Sequence, residues 1–156
     1  MSAPKPPLVS LVMPVFNEVH TLAEILRRVV AVDFRKEIVI VESNSTDGTR
    51  AIVERYRTVP GVRLVLEERP CGKGHAVRAG LACATGDIVL IQDGDLEYDI
   101  EDYESLLEPL VTWQALFVLG SRHTGHWKMR VFNDAPLAAA DSSSSGGTCS
   151  TKPYSS

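Results

Sequence analysis

The stretch Ile88-Val89-Leu90-Ile91-Gln92-Asp93-Gly94-Asp95 decides the fold. Four aliphatic residues in a row leave no polar face, so a strand here needs cover on both sides, as strands of parallel sheets have. The chain then turns at once to two carboxylates flanking a glycine. Ligands of open α/β sheets bind beyond the carboxyl ends of the strands, so this acidic turn falls where chemistry is expected.

Outward from that stretch the same alternation continues. Towards the N-terminus lie a helix from Gly74 to Ala84 stopped near Gly86, a strand from Val62 to Leu66, and a helix near Thr49 to Arg57 ended by Pro60-Gly61. Before them come the β-branched run Glu37-Ile38-Val39-Ile40-Val41 and a helix whose stripe is Leu22, Ile25, Leu26, Val29 and Val30. Thr21-Leu22-Ala23-Glu24 has the capping-box spacing, with Thr21 as cap and Glu24 reaching back. The first strand is Leu8 to Met13, closed by Pro14. Towards the C-terminus, Asp99 is placed to cap a helix carrying Tyr103, Leu106, Leu107 and Leu110, and Ala115 to Leu119 reads as a fifth strand. The order β-α-β-α-β-α-β-α-β predicts a parallel sheet with helices on both faces.

The chain has 156 residues, 44% hydrophobic and 23% charged, with a net charge of −4. That is enough for one domain with a core. The acidic balance argues against binding nucleic acid through bulk charge. No apolar run is long enough for a transmembrane helix, and Met1 to Pro7 lacks the apolar stretch of a secretory signal. Cys71, Cys83 and Cys149 show neither zinc nor disulfide spacing, which fits a reducing, cytoplasmic setting. The expected organisation is a flexible N-terminus at 1–7, a folded unit at 8–133, and a Ser/Gly-rich tail at 134–156 too poor in apolar groups to order itself.

Polar residues crowd the segments that follow the strands. They are Pro14-Val15-Phe16-Asn17-Glu18, Glu42 to Thr49, Arg69 to His75, Gln92 to Glu97, and Gly120-Ser121-Arg122. From Asp93 to Glu108 there are eight carboxylates in sixteen residues, with no Lys or Arg. Glu101, Asp102, Glu104 and Glu108 suit a solvated helix start, where acids meet the positive end of the dipole. Asp93 and Asp95 sit on the sheet edge instead, with Glu97 two residues on. Close carboxylates repel unless a cation lies between them, and hard oxygen donors suit magnesium or manganese. Gly72-Lys73-Gly74 precedes a helix and allows two readings: a phosphate-facing turn, with Lys73 supplying a point charge, or an ordinary turn with an exposed lysine. Arg122 is either a phosphate fork or a surface arginine. G-x-x-x-x-G-K-[ST] is absent, as is G-x-G-x-x-G after the first strand, so neither a P-loop nor a dinucleotide fold is indicated.

Taken together and in order, Pro14-Val15-Phe16-Asn17-Glu18, Ser45-Thr46-Asp47-Gly48-Thr49, Gly72-Lys73-Gly74-His75-Ala76, Ala84-Thr85-Gly86-Asp87, Gln92 to Glu97 and Gly120-Ser121-Arg122 resemble the family 2 glycosyltransferases of GT-A fold, in the branch of dolichol- and polyprenol-phosphate sugar synthases. The resemblance implies a Rossmann-like, mostly parallel sheet, incomplete at its C-terminal end. It implies inverting transfer from a UDP- or GDP-sugar, with Mn2+ or Mg2+ as cofactor and a polyprenyl phosphate as acceptor, at or near the cytoplasmic membrane face. By the same resemblance Pro14, Phe16, Asn17 and Glu18 hold base and ribose, and Glu42 and Asp47 line that pocket with Lys73 and Gln92 beside it. Asp93 and Asp95 form the metal-binding, catalytic pair, Glu97 completes the metal shell, and Arg122 meets phosphate. Where the family has two adjacent aspartates this chain has Glu42-Ser43, which bears on base recognition. Family domains continue beyond Arg122, so the expectation is an intact donor half without the acceptor half. The rival readings are a non-catalytic nucleotide-sugar-binding module and, more distantly, a sugar-phosphate nucleotidyltransferase. The latter calls for a basic glycine-rich turn where Pro14 to Glu18 stands.

Overall fold

A computed structural model describes residues 5–95 and 100–120 and the backbone of 130–132. The expected tail at 134–156 lies outside these residues, as do Glu97, Asp99 and Arg122.

Among the described residues the main sheet has four parallel strands, β1 (Val9–Val15), β2 (Lys36–Glu42), β3 (Val62–Leu66) and β4 (Ile88–Ile91), in the order β3-β2-β1-β4. The helices are α1 (Leu22–Ala31), α2 (Thr49–Glu54), α3 (Lys73–Cys83) and α4 (Tyr103–Val111). Alternation along each strand splits the core in two. Val9, Leu11, Met13 and Val15 of β1, with Ile38 and Ile40 of β2, pack with Leu22, Ile25, Leu26 and Val29 of α1, Val53 of α2, and Tyr103 and Leu107 of α4. Val39 and Val41 point the other way, onto Ala76 and Cys83 of α3. Helices on both faces and apolar central strands follow the sequence reading.

Gly80 sets how closely α3 lies on the sheet. A Cβ there would run into Val12 Cγ1 and come within 3.2 Å of Val41 Cγ2. Glycine is therefore required by the close approach of helix to sheet, not by its backbone angles.

Three expectations are revised. Thr21 makes no side-chain cap bond; its hydroxyl donates to the Gly94 carbonyl at 3.0 Å and to Glu18 Oε2 at 3.2 Å. Glu24 does not reach back, because Arg27 and Arg28 take its carboxylate at 2.8 and 2.7 Å. The fifth strand does not extend the parallel sheet either. β5 (Phe117–Leu119) pairs antiparallel with β6 (Arg130–Phe132) as a separate ribbon. Among the described residues β4 is consequently an outer strand. On the α3 side its Val89 and Ile91 are 39% and 49% exposed, so the expected two-sided cover is incomplete there. They line an apolar recess of about 1180 Å³ together with Leu106, Leu110 and Phe117.

Candidate nucleotide-sugar site

The carboxyl ends of β1, β2 and β4 frame a cavity of about 280 Å³. Its wall brings together Pro14 at the end of β1, Phe16 and Glu18 after it, Ser43 after β2, Pro70, Gly72, Lys73 and Ala76 around the start of α3, and Asp93, Gly94 and Asp95 after β4. Six of the residues singled out from sequence thus converge: Pro14, Phe16, Glu18, Lys73, Asp93 and Asp95. Phe16 is 45% exposed and lines this wall, which leaves a large aromatic side chain accessible beside a buried strand. Gly94 lets Glu18 approach closely between the two acids. A Cβ on it would meet Glu18 Cγ at 3.3 Å.

Lys73 binds Asp93 with both carboxylate oxygens, at 2.6 Å to Oδ1 and 2.8 Å to Oδ2. The ammonium side is open, at 63% exposure, whereas the Asp93 side chain keeps only 14%. A cation thus already faces Asp93, and Asp95 adds a second hard oxygen donor to the same wall. This donor chemistry fits a magnesium- or manganese-sized ion, which Asp93 and Asp95 would hold. Among the described residues no group of three His, Cys, Asp or Glu side chains is arranged to hold an ion without such help.

The other predicted residues that are described, Asn17, Glu42, Asp47 and Gln92, build the frame of this cavity instead of its lining. Asn17, at a left-handed φ of 55°, donates its N–H to Ser45 Oγ at 3.0 Å and accepts the Thr46 N–H on Oδ1 at 2.9 Å. The Glu18 N–H donates to Thr49 Oγ1 at 2.8 Å and the Val19 N–H to Asp47 Oδ2 at 3.0 Å. These four bonds zip the loop after β1 to the loop after β2, which gives Ser45-Thr46-Asp47-Gly48-Thr49 a structural reason to exist. Partial desolvation of Asp47 works against its charge, but hydrogen bonds from Thr49 and Val19 outweigh it and hold the carboxyl below its usual range.

Glu42 is fully buried, ion-paired with Arg50 and accepting the Ser45 N–H at 2.6 Å. Arg50 also donates to the Glu67 carbonyl at 2.8 Å, joining the ends of β2 and β3. Sequence reasoning missed Arg50. The available signal was the burial of Glu42 at the end of an apolar strand, which demands a cationic partner. Gln92 is also buried, bonded through Nε2 to the Asp93 carbonyl at 3.0 Å and through Oε1 to the Tyr103 hydroxyl at 2.7 Å.

Residues 10–139 match the family model for glycosyl transferase family 2. The chain belongs to that family. It is 37% identical over 106 residues to an undecaprenyl-phosphate 4-deoxy-4-formamido-L-arabinose transferase of Sodalis glossinidius, covering 64% of this chain and 32% of that protein. It is 32% identical over 119 residues to a dodecaprenyl-phosphate galacturonate synthase of Rhizobium johnstonii, covering 72% of this chain and 35% of that one. Among solved structures, a mannosyltransferase from Pyrobaculum calidifontis in complex with GDP-mannose and Mn2+ superposes with a TM-score of 0.60 at 35% identity, over 75% of this chain and 35% of that one. The chain therefore spans about a third of the length of these relatives. Its α/β sheet is of the GT-A kind, as the sequence predicts. Among the described residues no helix is long and apolar enough to cross a membrane.

Proposed function

We propose that this chain forms the donor-binding part of a metal-dependent, inverting glycosyltransferase. It would take a nucleotide diphosphate sugar and deliver the sugar to a polyprenyl phosphate at the cytoplasmic face of a membrane. The observation that carries this is the convergence of Asp93, Asp95, Lys73 and the exposed ring of Phe16 on one cavity at the strand ends. The two named relatives act on polyprenyl phosphates, and the named mannosyltransferase holds GDP-mannose with Mn2+.

Phe16 offers a stacking face for the base, with Pro14 and Glu18 beside it. Asp93 and Asp95 would hold the cation with Glu97 as a third ligand, and Lys73 and Arg122 would meet phosphate oxygens. Asn17, Glu42, Asp47 and Gln92 act at one remove by fixing the loops. When bound, the divalent cation stabilises the charge that develops on the departing diphosphate. Carboxylates positioned by buried neighbours do this with little reorganisation. A phosphate acceptor is already ionised and needs no strong general base, so the chain need not supply one for attack from the opposite face.

The test is a thermal-shift and calorimetric screen of UDP-, GDP- and dTDP-sugars with and without Mn2+. Binding raises apparent stability by mass action, so a hit names the nucleotide. Asp95→Asn is expected to abolish the Mn2+-dependent part while leaving the circular dichroism spectrum unchanged. Unchanged affinity in that variant, or no nucleotide binding by the wild type, would overturn the reading. Mn2+-dependent binding without any sugar transfer to a polyprenyl phosphate would favour a binding module over an enzyme.

A further inference from the structure

We propose that Lys73 is a placeholder cation, which holds Asp93 until a divalent ion claims that carboxylate and then passes to the donor diphosphate. This deepens the reading above and rests on it. The geometry is specific. The ammonium lies 2.6 and 2.8 Å from the two oxygens of Asp93, and so occupies the lone pairs that a metal would need. A second cation on the same oxygens would be repelled by the first.

Lys73 is also built to leave. It is 63% exposed, and it is the first residue of α3. The preceding Gly72 has φ +88°, with nothing within 4 Å of where a Cβ would be. Its flexible stem starts on the wall of the 280 Å³ cavity. Once released there, the ammonium finds the diphosphate as the nearest incoming anion. Lys73 is thus a positioning residue with two partners in succession, and metal and nucleotide must bind with positive coupling. Each relieves a cost that the other meets alone.

The experiment follows free Mn2+ by electron paramagnetic resonance as it is titrated into the 156-residue chain, alone and with UDP or GDP. Wild type is expected to bind Mn2+ weakly alone and more tightly with the nucleotide. Lys73→Gln is expected to bind Mn2+ alone about two- to five-fold more tightly than wild type, the range for a partly exposed ion pair. The same variant loses nucleotide affinity and most of the coupling. Lys73→Arg, which keeps the charge, should restore the wild-type pattern. Lys73→Gln affinity for Mn2+ alone that equals or falls below wild type would overturn the placeholder role, even while nucleotide and Mn2+ still bind. Failure of wild type to bind Mn2+ with either nucleotide would overturn the donor-site reading and this inference with it.

Discussion

The Tyr103 hydroxyl donates to Gln92 Oε1 at 2.7 Å, and both side chains are buried. Gln92 in turn donates to the Asp93 carbonyl at 3.0 Å. Helix α4 therefore reaches through the core to fix the backbone that presents the first acid of the site. Burial pushes the Tyr103 phenol up, so it remains a donor across the whole working range of pH.

Tyr103→Phe removes one donor and strands a buried acceptor. The expected loss is about 1–3 kcal/mol of stability, read from urea denaturation. Mn2+-dependent nucleotide affinity should fall as well, because the Asp93 backbone loses its anchor. A variant as stable as wild type would show that Gln92 finds another partner.

Arg50→Met leaves the fully buried Glu42 carboxylate without its cation. Breaking a buried pair from one side costs about 3–5 kcal/mol. Arg50 keeps 35% side-chain exposure, which places the expected loss at the lower end. Urea midpoints measure it. The double variant Arg50→Met with Glu42→Gln should recover part of the loss, because no unpaired charge then remains. Equal destabilisation of single and double variants would refute that account.

Glu37 gives the acid limb of stability. Desolvation raises its pKa, but hydrogen bonds from the Ser10 hydroxyl and from Thr85, together with nearby Arg63, outweigh this and leave it below 4.5. A carboxyl with a lower pKa in the folded state contributes its full stabilisation above the unfolded value and loses it as pH falls through the folded one. Stability from this group should therefore be constant above pH 4.5 and decline below it. Glu37→Gln should be less stable at about pH 7 and show a shallower decline towards about pH 3, by denaturant melts at each pH. An unchanged acid slope would remove Glu37 from the explanation.

Much of this was legible in the sequence because it is local. The stripe Leu22, Ile25, Leu26 and Val29 is buried as its spacing predicts, and the apolar runs of β1 and β2 are the sheet's centre. Loops after strands came to the expected edge because a parallel sheet allows no other place for them. What was not legible is non-local. Ala115 to Leu119 reads as a strand but carries no information about its neighbour, and the antiparallel ribbon of Phe117–Leu119 with β6 could not be foreseen. Thr21 looked like a cap because its spacing to Glu24 was right. The competing acceptor, the Gly94 carbonyl, lies 73 residues away. Glu42 and Asp47 were recognisable as motif acids, yet their partners Arg50 and Val19 are set by how two loops meet.

The outer position of β4 has a kinetic consequence. Hydrogen-bonded to β1 alone among the described residues, this strand has amides secured from one side only, whereas β1 is flanked by β2 and β4. Opening free energies in folded proteins vary by cooperative unit, and a lone outer strand belongs to the less protected units. Amide deuterium uptake at Ile88–Ile91 should therefore precede uptake at Val9–Val15. The two acids of the site are thus mounted after an outer strand of the sheet, where small rearrangements on filling meet less resistance than they would beside β1.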